Sequence, residues 1–506
     1  TLAALLASGC ATAGATAGAT AGATAGAQST PQSGSTLGPL AAEGQAFAER
    51  SMSNFARENL STFTTFTLSN GIPVVVKRTD ANEVKHVSLV LRGGSLLAGA
   101  ATAGYESLAL NTMARASARF SYDDIRAALD ETSSAIGPSS VFEYSTYSLT
   151  TLGKYFDRLF PLWADTLVEP RFAQADFDQV LSEAKLGLQG KEKDPWAKTG
   201  LVMNAAFFKG HPFAANPDGT ESSLGAATLD ALKAWYRDSF SANRMFVVAV
   251  GNFDPAGLKS LLESGLGAIP DKHVALPGTI PGFTASGGLV KQEFPQSKGL
   301  GYLRGDFAAP APSDPDYMPL NLGMKMLSDL LFNVVRDKYG AVYSPGAYIR
   351  SFGTNYGSIV LFKTKSANKV KSYVDEAVAD MAAGKVISLA QASSDPMAAG
   401  KTLSGGERMS IADALPIYKA QYINELYEKQ QTNQAIAGLI IQSIVTTGDY
   451  RSYLLDVDRI NAVTTDQIQA AFRKYVLQGK ILWVALGSAD VLLPLTSVDF
   501  ESIGGN

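Results

Sequence analysis

Apolar and polar positions recur with two different periods along this chain, and the switches between them mark out its elements. Phe63–Leu68 and Ile72–Lys77 are short, strand-like runs around Ser69-Asn70-Gly71, a spacing that predicts a β-hairpin. Val87–Leu91 reads as a further strand. Apolar residues then recur every three or four positions, which predicts helices over about 104–118, 122–134, 153–167, 174–191, 197–208 and 228–239. Phe246–Gly251 returns to an apolar strand.

The second half repeats this plan. Thr228–Asp254 (TLDALKAWYRDSFSANRMFVVAVGNFD) aligns without gaps on Thr464–Asp490 (TTDQIQAAFRKYVLQGKILWVALGSAD). The copies share Thr228/Thr464, Asp230/Asp466, Ala234/Ala470, Arg237/Arg473, Val248/Val484, Ala249/Ala485, Gly251/Gly487 and Asp254/Asp490. Each begins with a Thr suited to cap a helix and an early acid suited to its dipole, and ends in an apolar strand closed by Gly. The period is too long for a solenoid. It predicts an α+β fold of two similar duplicated domains, each a mostly antiparallel sheet packed with helices. Prolines and glycines crowd Pro270–Phe283 and place the joint there. The expected organisation is a flexible N-terminal tether over 1–60, a first domain over 61–270, a linker over 271–287 and a second domain over 288–506.

Composition narrows the class. A chain of 506 residues with 46% hydrophobic and 18% charged content is globular and too long for one ordinary core. Its 43 basic and 47 acidic residues are interspersed, so nothing calls for nucleic acid. The single cysteine, Cys10, excludes an internal disulfide and a cysteine zinc cage. Cys10 ends Leu5-Leu-Ala-Ser-Gly-Cys10, which resembles the tail of a bacterial lipoprotein signal peptide, where such a Cys becomes lipidated. The run reads equally as a scrap of apolar leader. Four Ala-Thr-Ala-Gly units over 11–26 and the Gln/Ser/Pro-rich stretch after them bury too little to order themselves, hence the tether.

The chemistry concentrates in Leu331-Phe-Asn-Val-Val-Arg336-Asp-Lys-Tyr-Gly340-Ala-Val-Tyr343-Ser344. Gly340 predicts that the helix carrying Arg336 stops there and that Tyr343 opens the next strand, which brings both side chains to one point. A guanidinium fork and a phenol hydroxyl together suit a peptide carbonyl whose oxygen gains charge under attack. A surface Arg and a half-buried Tyr would have the same spacing. The stretch resembles the Leu-Phe-x-x-x-Arg-x-x-x-Gly-x-x-Tyr segment of the pitrilysin/insulinase-type (inverzincin) zinc peptidases. Leu91-Arg-Gly-Gly94-Ser95, Glu169-Pro-Arg-Phe172, Asp194-Pro195, Phe207-Phe-x-x-His211-Pro-Phe213 and Gly219-Thr-Glu221 follow in that family's order. By that resemblance Arg336 and Tyr343 reach into an active site and hold the substrate.

The resemblance fails at the metal. The family's His-x-x-Glu-His needs two His four apart on one helical face, and this chain has only His86, His211 and His273. The helix after Gly104 offers no His. Counting back from Pro195 to the place of the family's third ligand reaches Gly187. Glu106 and Glu183 are nearby acids, but without imidazole they make no tetrahedral zinc site. No residue is assigned as a metal ligand. His211 reads as a structural hydrogen-bonder, and His86 and His273 read as surface residues.

The family also binds substrate by strand addition at a sheet edge. Pro138–Tyr147 (PSSVFEYSTY) occupies that place here, with Ser140, Val141, Phe142 and Glu143 as the expected substrate-binding residues. An ordinary sheet edge would look the same. Gly400-Lys-Thr followed by Leu403-Ser-Gly-Gly-Glu407 resembles pieces of an ATP-transporter signature. The pieces nearly touch and the loop glycine is replaced by Asp395, so nucleotide binding is set aside.

The resemblance implies the non-zinc subunit of a heterodimeric zinc endopeptidase, similar to mitochondrial processing peptidase and bacterial two-subunit enzymes. It implies a homologous partner carrying His-x-x-Glu-His and the zinc, extended peptide substrates, no cofactor on this chain, and no activity for this chain alone. A periplasmic location with a lipid anchor at Cys10 follows from the N-terminal reading. The alternative is a catalytically silent structural, assembly or peptide-binding protein of the same fold.

Overall fold

Two seven-residue apolar runs, Met245–Gly251 and Ile481–Gly487, are buried at every position. A strand with no polar alternation must be covered on both faces, and each of these becomes an interior strand of its own sheet. The structure, a computed structural model, describes residues 54–387 and 408–504.

The first half runs α1 (Asn54–Leu60), β1 (Phe63–Thr67), β2 (Pro73–Arg78), β3 (Val84–Arg92), α2 (Tyr105–Met113), α3 (Tyr122–Thr132), β4 (Ala135–Ser140) and β5 (Tyr144–Leu152). It continues with α4 (Phe156–Val168), α5 (Gln174–Lys193), α6 (Pro195–Phe207), α7 (Glu221–Ala226), α8 (Leu229–Ser239), β6 (Met245–Gly251) and α9 (Pro255–Leu266). The second half runs β7 (Gly288–Glu293), β8 (Gly301–Ala309), α10 (Tyr317–Leu331) with a π-helical continuation (Phe332–Lys338), β9 (Ser344–Arg350), β10 (Asn355–Thr364) and α11 (Ala367–Ala382). It ends with β11 (Lys385–Ile387), β12 (Arg408–Ser410), α12 (Ile411–Glu428), α13 (Asn433–Thr447), α14 (Asp456–Ala462), α15 (Thr465–Phe472), β13 (Ile481–Gly487) and α16 (Ala489–Leu492).

The sheets have the orders β1-β2-β6-β3-β5-β4 and β7-β13-β8-β10-β9. Each is antiparallel except for one parallel pair, β2–β6 in the first and β7–β13 in the second. The α+β fold of duplicated domains is therefore present, and the aligned valines prove its register. Val248 lies between Val75 and Ser88, and Val484 lies between Val290 and Arg304. Thr228 and Thr464 both cap their helices, accepting from the N–H groups of Ala231 and Gln467. The Ser69-Asn70-Gly71 hairpin forms, with Gly71 at φ +87° where a side chain would be strained.

On one face each sheet carries helices of its own half. The other face is covered by a helix from the opposite half. Ile436, Ile440, Ile441 and Ile444 of α13 pack on Val90, Phe246, Val248 and Val250 of the first sheet. Met203 and Phe207 of α6 pack on Tyr356, Leu482 and Val484 of the second. α6 and α13 stand at corresponding places in the two halves, so the exchange is reciprocal.

Three expectations need correction. The tether was expected to reach residue 60, but residues 54–60 form α1, whose Ala56 is buried against Tyr453 and Leu454 and whose Asn59 Oδ1 accepts from Lys77 Nζ at 3.1 Å. Residues 1–53, with Cys10 and the Ala-Thr-Ala-Gly units, lie outside the described residues, as does Gly400–Glu407.

Pro138–Tyr147 is not one strand. It is the tip of the β4–β5 hairpin, because Val141 N–H closes a turn onto Tyr144 C=O at 2.9 Å. The edge strand is β4 alone, where Pro138 is tolerated because its missing N–H removes no ladder bond needed by a neighbour.

His86 is not on the surface. It is buried beneath α13, with Nδ1 2.7 Å from Thr150 Oγ1 and Nε2 2.8 Å from Ser88 Oγ. His273 is exposed, as expected. Among the described residues no helix is long and apolar enough to cross a membrane.

Burial pushes the His86 imidazole down to about 4 from its ordinary 6.5. Below pH 6.5 the unfolded chain takes up a proton that the folded chain refuses, so stability is lost as pH falls from 6.5 towards 4. Between pH 7 and pH 5 this one group costs about 2 kcal/mol. Urea unfolding at the two pH values should show that loss in the wild type, and His86→Gln should reduce it by that amount.

Candidate functional site

α10 passes without a break into the π-helical turn that carries Arg336. Inserted π turns are frequent at functional positions because the extra residue re-aims the side chains beyond it. The helix ends at Gly340, φ +59°, whose N–H donates to Arg336 C=O at 2.8 Å. Tyr343 then leads into β9, its N–H donating to Phe362 C=O at 2.9 Å. The expected helix stop and strand start are both present, offset by one residue at the strand.

Arg336 and Tyr343 come together. The guanidinium carbon lies 5.6 Å from the Tyr343 ring centre and 4.4 Å from that of Phe332, one helical turn before it. Tyr343 is 68% exposed, and its hydroxyl has no hydrogen-bond partner among the described residues. Arg336 is half-buried and forms no ion pair among them. The pair stands at the start of β9, the outermost strand of the second sheet.

Two members of this cluster were not read from the sequence. Phe332 could have been, since it precedes Arg336 by four on a helix. Lys363 could not. A bulge in β10 between Leu361 and Thr364 puts Lys363 at φ +58° and its ammonium 5.9 Å from the Tyr343 ring.

The expected substrate-binding residues Ser140, Val141, Phe142 and Glu143 are engaged within the chain. The carbonyls of Val141, Phe142 and Glu143 already accept from the N–H groups of Ser95, Leu96 and Gly93, at 3.3, 3.1 and 2.7 Å. A Cβ on Gly94 would strike Val141 C=O at 2.4 Å, so only glycine lets this tip settle. Those three carbonyls are therefore not free to pair with an added strand, while Ser140 belongs to the edge strand β4. Phe142 stacks on Phe213 and meets Phe352 of the second half edge-on, with centres 5.7 Å apart. Glu143 is buried, and its Oε1 accepts from Gly353 N–H at 2.7 Å. Residues 351–354 form the tip of the β9–β10 hairpin, the counterpart of the β4–β5 tip. The two tips therefore clasp each other. Ser140 Oγ lies 2.9 Å from Ser145 Oγ, within a buried network.

That network lies under α2, the helix that follows Gly104. Glu106 is buried, receiving Ser145 Oγ–H at 2.5 Å and Arg244 Nη2 at 2.7 Å. Arg244 is fully buried and also donates to Arg92 C=O and Ser239 C=O at 2.9 and 2.8 Å. Only Ser107 and Asn111 of α2 escape burial, and they stand four apart on one face. A hydroxyl and an amide on that face are no substitute for two imidazoles. α5 packs beside α2, and a side chain at Gly187 would stand in open space. Glu183 is exposed and bonded to Gln179. Among the described residues no three His, Cys, Asp or Glu come together as a metal site would need. His211 has the structural role expected of it: Nδ1 accepts from Phe213 N–H and Nε2 donates to Pro281 C=O at 2.9 Å.

Comparison with known proteins bears on the family and the fold. Residues 226–386, a span that includes Arg336 and Tyr343, match the family described as Peptidase M16 inactive domain. An uncharacterized zinc protease of Mycobacterium bovis is 26% identical over 206 residues, 40% of this chain and 46% of that protein. A non-peptidase homolog of Helicobacter pylori is 22% identical over 39% of this chain and 46% of its own length. The chain thus spans about half the length of the curated relatives it matches.

The fold is that of a peptidase M16 inactive domain from Pseudomonas fluorescens, at a TM-score of 0.70 and 18% identity over 84% of this chain and 98% of that one. A chain of Complex III2 from Candida albicans superposes at 0.69 and 16% identity, covering 86% and 98%. The resemblance to the zinc-peptidase family is borne out.

Desolvation pushes the Glu143 carboxyl up to about 7, against the opposing pull of the Gly353 N–H. The folded chain then holds a proton that the unfolded chain releases above its ordinary 4.5, so stability is highest in acid and falls as pH rises through 7. Glu143→Gln keeps the bond to Gly353 and removes the ionisation. It should raise stability by about 3 kcal/mol at pH 8 and about 1 kcal/mol at pH 5, read from denaturant midpoints.

Proposed function

We propose that this chain is the substrate-holding, non-zinc subunit of a heterodimeric zinc endopeptidase. The observation that carries the reading is the unpaired Arg336–Tyr343 couple on an open face, in a fold whose first-half helix α2 keeps its place but presents Ser107 and Asn111. A homologous partner would bring His-x-x-Glu-His and zinc, which polarises the scissile carbonyl and activates water. The Arg336 fork and the Tyr343 hydroxyl would then donate to the substrate carbonyl oxygen as its charge grows. Phe332 and Lys363 hold these two groups in one patch. The free edges of β4 and β9 give an extended peptide backbone somewhere to pair. In this reading the chain alone binds no zinc, and Cys10 anchors the assembly to a membrane facing the periplasm.

A second reading, a silent structural or assembly protein, is favoured by the similarity to a non-peptidase homolog and by the fold shared with a Complex III2 chain. It requires neither Arg336 nor Tyr343.

Co-expression with a chain carrying His-x-x-Glu-His separates the two. The substrate-holding reading expects copurification and peptide turnover only when both chains are present. Tyr343→Phe should lower kcat by about 10²–10³, the loss of one oxyanion donor worth ~2.7–4 kcal/mol, with assembly intact. Arg336→Lys should also fail, because a point charge does not reproduce a planar fork. Wild-type turnover from an assembled Arg336→Ala, Tyr343→Phe heterodimer would leave this chain a scaffold.

A further inference from the structure

Lys363 breaks a rule that the other strand residues keep. Among the described residues it alone, without being glycine, holds a positive φ inside a strand, at +58°. There β10 sets two residues, Phe362 and Lys363, against the single Tyr302 of β8. The bulge has a structural reason, since it lays the Phe362 ring 4.1 Å from Trp196 and 5.6 Å from Tyr302. The lysine does not share that reason. A left-handed bulge position is glycine's place, and a side chain there strains the backbone. Strain of this kind gathers at functional sites, where the residue does something glycine could not.

The strained backbone sets where the ammonium lies. Lys363 is exposed, its Nζ 5.9 Å from the Tyr343 ring centre, and the Arg336 guanidinium is 5.6 Å from the same centre. Two cations thus share one exposed ring, in a chain whose net charge is −4. Neither forms an ion pair among the described residues. The Asp337 carboxyl is raised by burial and drawn down by the Arg336 charge, yet no ion pair joins them. Glu376 of the neighbouring α11 is taken up by Lys338 and the Tyr339 hydroxyl, each at 2.7 Å. Like charges beside one ring repel each other, and an anion arriving there removes that cost.

We infer that Lys363 is a specificity residue, which pairs with the carboxylate of an acidic side chain in the extended peptide, beside the bond that Arg336 and Tyr343 hold. The inference rests on the substrate-holding reading and adds a preference to it. In that reading the Arg336 fork is committed to a carbonyl oxygen, which leaves the ammonium as the free cation. Successive residues of an extended peptide lie about 3.3 Å apart, so the ammonium stands within reach of a residue next to the held bond. Inside a peptide the only carboxylates are those of Asp and Glu.

The test is fluorescence anisotropy of the purified full chain with labelled decapeptides of uncharged residues, blocked at both ends, that carry one Glu or one Gln. The wild type should bind the Glu peptide about fivefold more tightly at low salt, as an exposed ion pair at its strongest implies. The ratio should fall towards one in about 1 M salt, where charges are screened within ~3 Å. Lys363→Arg should keep the ratio. Lys363→Gly should bring it near one and raise the urea midpoint of unfolding, because glycine relieves the strain.

Equal binding of the Glu and Gln peptides by the wild type, or a ratio that survives Lys363→Gly, overturns the inference while peptide holding stands. A lowered midpoint for Lys363→Gly makes the lysine a structural residue and also overturns it. Binding of neither peptide overturns both readings. If a Gln peptide with a free C-terminal carboxylate binds as tightly as the Glu peptide, the patch reads a chain end and the inference fails.

Discussion

The reciprocal exchange of α6 and α13 is the constraint on which the rest of this structure depends. Without α13, the face of the first sheet formed by Val90, Phe246, Val248 and Val250 would stand in water, and without α6 the same would befall Leu482 and Val484 of the second. Burying a large aliphatic side chain contributes ~1.5–3 kcal/mol. The four isoleucines of α13 alone therefore rival the ~5–15 kcal/mol net stability of a whole domain, even as an upper estimate. Neither half is a self-sufficient unit, although each has its own sheet and its own helices on the other face. The clasp between hairpin tips, Phe142 on Phe352 and Glu143 on Gly353, is made possible by that exchange and locks its angle.

Much of this was legible from residue pattern alone. The helices over 122–132 and 174–193 lie where apolar spacing put them, and the gapless alignment of Thr228–Asp254 on Thr464–Asp490 anticipated the register of both sheets. The exchange was not read, although a sign of it was there. α13 carries no Asp, Glu, Lys or Arg between Asn433 and Thr447, and a helix without a charged face has no side for solvent. What such a sign withholds is the identity of the second surface. His86 misled for the same reason. A histidine opening a strand is exposed on most sheets, and only a helix arriving from residues 433–447 buries it.

The site was legible to a different degree at each end. Arg336 and Tyr343 meet because a helix stop at Gly340 and a strand start one residue past Tyr343 are both local events, written in local residue types. Phe362–Lys363 joins them through a bulge, which depends on how β10 meets β8 and leaves no local mark. The β4–β5 tip failed in the opposite way. Val141, Phe142, Tyr144 and Tyr147 are strand-forming residues, yet Gly93 and Gly94 bring another backbone so close that the chain turns at 141–143 and satisfies itself. Tertiary contact overrode propensity there.

The persistence of α2 is the last consequence of these arrangements. In a fold that relied on a metal to pin this helix, losing the ligands would release it. Here the pinning is done from the opposite side by Glu106, which shares a fully buried ion pair with Arg244 and a hydroxyl from Ser145. Removing one partner of such a pair costs ~3–5 kcal/mol, because the other charge is stranded in a dry interior. Arg244 is held at each of its nitrogens, since Nε and Nη1 also donate to the carbonyls of Arg92 and Ser239. The open face of α2 is thereby freed from any part in stability. Ser107 and Asn111 can stand there at no cost to the fold.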